Sequence, residues 1–222
     1  MLCCASMIPK TIHQVWLGPD DPPIEWMQTW VNFAMSSDFE YRVWTEHTIR
    51  GLENQAAYDY YMHHEQWHGA SDVARAEILE RMGGWYIDAD VELVDPHGFY
   101  WDPMQQARFV AVSHPEPDTA RVPNTVFAAE PGHRILGRTI ALIERQFEHD
   151  DLDPVWATVG SCHSRAIALA PKRMRPYFVE AKMFLPFHFG RRVEGEGPTY
   201  AIHHQMMTRR HPSWTDLPEY EL

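Results

Sequence analysis

Cysteine, positive charge and long apolar runs are what this chain of 222 residues has least of, and each shortage closes off a class of protein. Its three cysteines, Cys3, Cys4 and Cys162, are odd in number and lack the C-x-x-C spacing of a ligand pair, so neither a disulfide scaffold nor a cysteine zinc site is expected. Nineteen Lys and Arg against 31 Asp and Glu leave a formal net charge of −12, which excludes a polyanion binder working by electrostatics alone. An acidic chain that binds phosphate groups needs a local cation. No stretch approaches the ~18 consecutive apolar residues of a membrane span. Met1 to Lys10 has neither the basic run nor the apolar run of a signal peptide. The expectation is a soluble, cytoplasmic protein of a reducing compartment.

Apolar residues are 45% of the chain and aromatic residues 13%, without repeats or low-complexity segments, so a packed core is expected. The length favours one domain over residues 1–222, with 208–222, rich in polar residues and proline, lying over it as a tail or lid. Thr11 to Leu17 reads as a buried strand stopped by Gly18-Pro19. Pro22-Pro23 opens a helix with Ile24, Met27, Trp30, Val31 and Ala34 at helical spacing, and Tyr41 to Trp44 reads as a second strand. Strand, helix, strand predicts a parallel α/β beginning. Two helical stretches follow between Tyr58 and Met82, the second capped by Ser71-Asp72 and ended by Gly83-Gly84. Strands are expected at Trp85 to Ile87, Phe109 to Ser113, Thr125 to Ala129, and near Tyr177 and Tyr200, with helices at about 133–147 and 162–170.

Trp85-Tyr86-Ile87 runs directly into Asp88-Ala89-Asp90, which puts two carboxylates at the carboxyl end of a buried strand, where open α/β sheets bind ligands. On an extended strand the two side chains share a face, with Glu92 a third if the strand continues. Such a set suits a hard divalent cation, Mn²⁺ or Mg²⁺. A calcium loop is excluded, because Leu93 stands where glycine is required and Phe99 where glutamate is required. An aspartyl-nucleophile phosphatase strand is disfavoured by Glu92. His64-Glu65-Gln66-Trp67-His68 spells H-E-x-x-H, which on a helix could hold Zn²⁺ with Glu65 as base, although Gly69 cuts any helix short.

Three runs carry a family resemblance: Ile8 to Gly18 (IPKTIHQVWLG), Ala70 to Glu92 (ASDVARAEILERMGGWYIDADVE), and Tyr200 to His204 (YAIHH) with Ser213-Trp214 beyond. Together they resemble the DXD-motif sugar transferases, the family of yeast initiating mannosyltransferases and bacterial capsular polysaccharide transferases, with the clostridial glucosylating toxins more remote. The resemblance implies a GT-A glycosyltransferase fold, a Rossmann-like mixed central sheet flanked by helices. It implies retaining, Mn²⁺- or Mg²⁺-dependent transfer of a hexose-type sugar from a UDP- or GDP-sugar. The acceptor is left open among glycan, protein, small molecule and, less favoured by the acidic balance, modified DNA. Asp88, Asp90, Arg75 and Asp72 match the catalytic set. Val15, Trp16, Asp72, Arg75, Tyr86, Asp88, Ala89, Ser213 and Trp214 match the donor contacts, Trp16 as the ring that stacks on the base. Asp88, Asp90 and His203 match the metal ligands, with His204 as substitute. The relatives bring Ser-Trp closer behind the histidine than Gln205 to Pro212 allows here. Two other functions remain beside this one: a zinc metallopeptidase through His64, Glu65 and His68, and a non-catalytic nucleotide-sugar-binding domain.

Overall fold

The computed structural model describes residues 8–99, 104, 106–116, 121–148, 155–188 and 191–205. Strand β1 (Thr11–Val15) leads into helix α1 (Ile24–Met35) and strand β2 (Glu40–Trp44), which pairs with β1 in parallel, as the strand-helix-strand spacing predicts. Helix α1 buries Met27, Trp30, Phe33 and Ala34 on one face, whereas Ile24, expected on that face, is the first helical residue and stays exposed. Trp30 donates its indole N–H to the Val91 carbonyl at 2.7 Å, so this helix is tied by a buried hydrogen bond as well as by packing.

Helices α2 (Gln55–His63) and α3 (Trp67–Met82) follow. Helix α3 starts a full turn before the Ser71-Asp72 cap expected from sequence, so Asp72 is an interior helical residue. The reason is burial nearly all round: Gly69, Ala70 and every residue from Asp72 to Leu79 is buried, and no polar face marks the start. The helix ends at Gly83 (φ 65°), followed by Gly84 (φ 101°). A β-carbon on Gly84 would come within 2.7 Å of the Thr11 carbonyl oxygen, and one on Gly83 within 2.6 Å of the Pro131 ring, so this turn closes only with glycine.

The chain continues through β3 (Gly84–Ile87), β4 (Val91–Leu93), β5 (Phe109–Val112), β6 (Val126–Ala129), α4 (Arg134–Glu148), α5 (Val155–Ala168), β7 (Tyr177–Val179), β8 (Phe187–His188), β9 (Arg191–Arg192) and β10 (Ala201–His203). Helix α5 begins seven residues ahead of the sequence expectation. Six strands form one mixed sheet in the order β2-β1-β3-β6-β5-β7, β6 running antiparallel to both neighbours. Strand β3 lies inside it, and Trp85, Tyr86 and Ile87 have no exposed surface. Alternation along the strands divides the core. Tyr86, Phe109 and Phe127 pack under α2 to α5, while Trp85, Ile87, Val110 and Val126 pack with α1, Phe99 and Phe184. Helices thus cover both sheet faces, and β4 and β10 form a small antiparallel pair beside the sheet.

Candidate metal centre

Strands β1 and β3 are parallel, so both carboxyl ends reach one edge of the sheet, and antiparallel β6 brings its amino end there too. At this edge Asp88 donates its backbone N–H to the Thr125 carbonyl at 2.9 Å, and Val91 N–H returns to the Asp88 carbonyl at 3.1 Å. Asp88-Ala89-Asp90 is therefore a tight turn between β3 and β4, not the extended strand assumed from sequence. The turn, rather than strand alternation, brings the two carboxylates together. Glu92 does not join them: it lies on β4 and takes a hydrogen bond with His204 Nε2 at 2.9 Å.

The third member comes from 113 positions downstream of Asp90 in the sequence. Antiparallel pairing sets His203 opposite Val91, and His203 Nε2 stands 3.2 Å from Asp90 Oδ1. His204 points elsewhere, its ring stacked on Trp26 at 3.9 Å and 4°, while its backbone N–H donates to the Asp90 carbonyl at 2.9 Å. Asp88, Asp90 and His203 each offer a ligand atom within 4.8 Å of the others, the one such group of three among the described residues. Two carboxylate oxygens and one imidazole nitrogen fit Mn²⁺ or Mg²⁺ by their chemistry. Burial raises the Asp88 carboxyl pKa against the opposing pull of Arg75. For His203, burial alone would lower the pKa, and the charge and hydrogen bond of Asp90 outweigh it, leaving the imidazole raised.

Under the turn lies a buried network centred on Arg75. Its Nη2 is 3.0 Å from Asp72 Oδ1 and 3.0 Å from Asp88 Oδ1, and its Nη1 donates to the Asn124 carbonyl at 2.8 Å. Its guanidinium carbon sits 4.4 Å from the centre of the Tyr86 ring, whose hydroxyl donates to Asp88 Oδ1 at 2.8 Å. Asn124 Nδ2 donates to Asp72 Oδ1 at 3.0 Å. Desolvation pushes the Asp72 carboxyl up to about 6 despite the adjacent guanidinium. Asp72 and Arg75, spaced i, i+3 on α3, thus form a nearly enclosed ion pair supported by Asn124 at the entrance to β6.

The expected donor contacts divide by exposure. Trp16 is partly exposed just past β1, its indole N–H donating to the Asp20 carbonyl at 2.9 Å. Val15, Ala89 and Tyr86 are buried, Tyr86 completely. Ser213, Trp214 and the whole 208–222 tail lie outside the described residues, as do Cys3 and Cys4. The zinc-peptidase arrangement is overturned by the backbone: α2 ends at His63, Glu65 has φ 54°, and His68 belongs to the first turn of α3. His64 and His68 share no helix face.

Sequence reasoning missed two residues. Gln14, with no exposed surface, donates Nε2 to the Asp88 carbonyl at 3.1 Å and accepts from the Tyr41 hydroxyl at 2.5 Å. Asn124 is the other, at the entrance to β6. Neither lies near the acidic turn in sequence, and only the pairing of β3 with β1 and β6 reveals them. Beside His203 opens a cavity of about 530 Å³ whose lining includes Asn124, Ser164, Arg165 and His188.

The mixed sheet with its acidic turn at the β3 end is a GT-A glycosyltransferase fold. Among solved structures the chain is similar to the PaToxG glycosyltransferase, with a TM-score of 0.57 and 17% identity over 73% of this chain and 69% of that one. It is also similar to a glycosyltransferase involved in the glycosylation of the major capsid of PBCV-1, with a TM-score of 0.51 and 10% identity over 88% and 92% of the two chains. At these identities the likeness is one of fold. In sequence it is 32% identical over 98 residues to inositol phosphoceramide mannosyltransferase 3 of Schizosaccharomyces pombe, covering 39% of this chain and 25% of that protein. The chain thus spans about a quarter of that relative's length. No family model matches it. No helix among the described residues is long and apolar enough to cross a membrane.

Proposed function

We propose that this protein is a metal-dependent glycosyltransferase of the DXD type, which takes a hexose-type sugar from a UDP- or GDP-sugar and delivers it with retention to an acceptor hydroxyl. The observation that carries this reading is the meeting of Asp88, Asp90 and His203 at the carboxyl edge of β1 and β3. These three side chains would hold Mn²⁺ or Mg²⁺, which when bound supplies positive charge to a departing diphosphate. Trp16, partly exposed at the same edge, offers a face to the nucleotide base. Arg75 and Asp72 act from beneath: Arg75 orients Asp88 and keeps its buried charge compensated.

Among the described residues, no carboxylate lines the cavity beside His203. For the transfer itself we propose front-face attack rather than a covalent glycosyl-enzyme, which would need a carboxylate nucleophile close to the anomeric carbon. The acceptor oxygen bonds to the anomeric carbon on the face from which the diphosphate leaves, and its proton passes to a donor phosphate oxygen. A glycosyl adduct on the trapped protein, seen by mass spectrometry, would rule this route out.

The activity itself is tested by incubating the protein with UDP- and GDP-sugars in Mn²⁺ and following release of free nucleoside diphosphate. The expected outcome is metal-dependent release from one of the two nucleotides, reduced on the order of ~10²-fold or more by Asp90→Asn. Tight binding without release in the presence of candidate acceptors would instead mark a nucleotide-sugar-binding domain.

A further inference from the structure

At the opposite end of the sheet from Asp88 and Asp90, the start of β5, the end of β6, the start of α4 and the start of β7 enclose a cavity of about 620 Å³. Four arginines line it: Arg108, Arg134, Arg173 and Arg175. This gathers four of the chain's 19 cationic residues around one opening, in a protein of net charge −12. Arg108 pairs with Glu130. Arg134, Arg173 and Arg175 make no side-chain hydrogen bond or ion pair with any described residue. These three guanidiniums are exposed and have no counter-charge among the described residues, so they make a local positive patch that favours an anion.

One further feature narrows what that anion belongs to. Tyr177, 39% exposed at the rim, presents an aromatic face of the kind that packs against the apolar face of a sugar ring. Guanidinium forks match phosphate oxygens in pairs. A nucleic acid would need an extended basic stripe, whereas these four arginines gather around one opening in an acidic protein.

We infer that this cavity is a second binding site, separate from the candidate metal centre, for a phosphate-bearing polyol such as a phosphorylated sugar. The inference is independent of the glycosyltransferase reading, because it uses none of the residues at the other edge. The shared chemistry has two sources, a free sugar phosphate and the polyol-phosphate headgroup of a lipid.

Isothermal titration calorimetry of the full chain in EDTA, with glucose 6-phosphate and with inorganic phosphate, tests it. The expected result is binding of both, tighter for glucose 6-phosphate, weakened at least 10-fold by Arg173→Glu and by Arg175→Glu but retained in the charge-matched control Arg42→Glu. Tyr177→Ala should remove the preference for glucose 6-phosphate over inorganic phosphate. Co-sedimentation with phosphatidylglycerol vesicles, lost in the same arginine variants and without binding of the free sugar phosphate, assigns the lipid source. Absence of binding to all three probes overturns the inference, and so does equal weakening in Arg42→Glu. A glucose 6-phosphate affinity no better than that of inorganic phosphate removes the polyol and overturns it as stated.

Discussion

The Nη2 atom of Arg75 lies 3.0 Å from Asp88 Oδ1, and this contact joins the middle of α3 to the turn that carries the candidate metal ligands. The same nitrogen serves Asp72, so one guanidinium compensates the buried Asp72 carboxylate and the half-buried Asp88 carboxylate. Arg75→Met would leave both without a counter-charge. Breaking a buried pair in this way costs roughly 3–5 kcal/mol. Urea unfolding should show a loss of that size, whereas Arg75→Met at near wild-type stability would mean that the network contributes little.

Asp72 gives a pH dependence with a definite sign. Burial raises its carboxyl to about 6 in the folded protein from the ordinary carboxylate value of 3.8, so the folded state holds the proton more tightly than the unfolded chain. Its stabilising contribution is fully present below the unfolded pKa and is lost as pH rises through about 6. The metal-free wild type should therefore gain roughly 1–2 kcal/mol over Asp72→Asn between pH 7 and pH 5. Parallel stability curves for the two proteins would contradict the assignment.

Trp16 is partly exposed at the ligand-binding edge, and its indole N–H is already held by the Asp20 carbonyl, which fixes the ring. If the ring stacks on the nucleotide base, Trp16→Ala should weaken binding of the matching nucleoside diphosphate by ~1–3 kcal/mol in calorimetry. Thermal stability should change little. An unchanged affinity would make Trp16 a packing residue of the loop.

Gln14 supports the acidic turn from β1. Gln14→Leu keeps the bulk but leaves the Asp88 carbonyl and the Tyr41 hydroxyl short of their partner. A buried loss of this kind costs ~1–3 kcal/mol. Calorimetry with Mn²⁺ should show weakened metal binding as well, since the turn loses its tether. A variant that is destabilised yet binds Mn²⁺ as tightly as wild type would restrict Gln14 to a structural role.

What was readable in the sequence and what was not follows from how far apart the interacting residues are. The strand from Trp85 to Ile87, the glycine turn before it and the parallel start of the sheet announce themselves locally, through apolar runs and obligatory glycines. The start of α3 did not, because a helix buried on all sides has no periodic face to read. Asp88 and Asp90 stood out by spacing, but a turn rather than an extended strand sets their geometry. His203 was suggested by family resemblance, and its proximity to Asp90 depends on the register of β4 against β10, which no local pattern encodes. The supporting roles of Gln14 and Asn124 were hidden for the same reason.

The most direct test of metal-dependent donor binding is a thermal-shift series with UDP- and GDP-sugars, each in Mn²⁺, Mg²⁺ and EDTA, on wild type and Asp90→Asn. The expected result is stabilisation by one nucleotide in Mn²⁺ or Mg²⁺, abolished by EDTA and absent in Asp90→Asn. A shift that persists in EDTA, or no shift with either nucleotide, would contradict it.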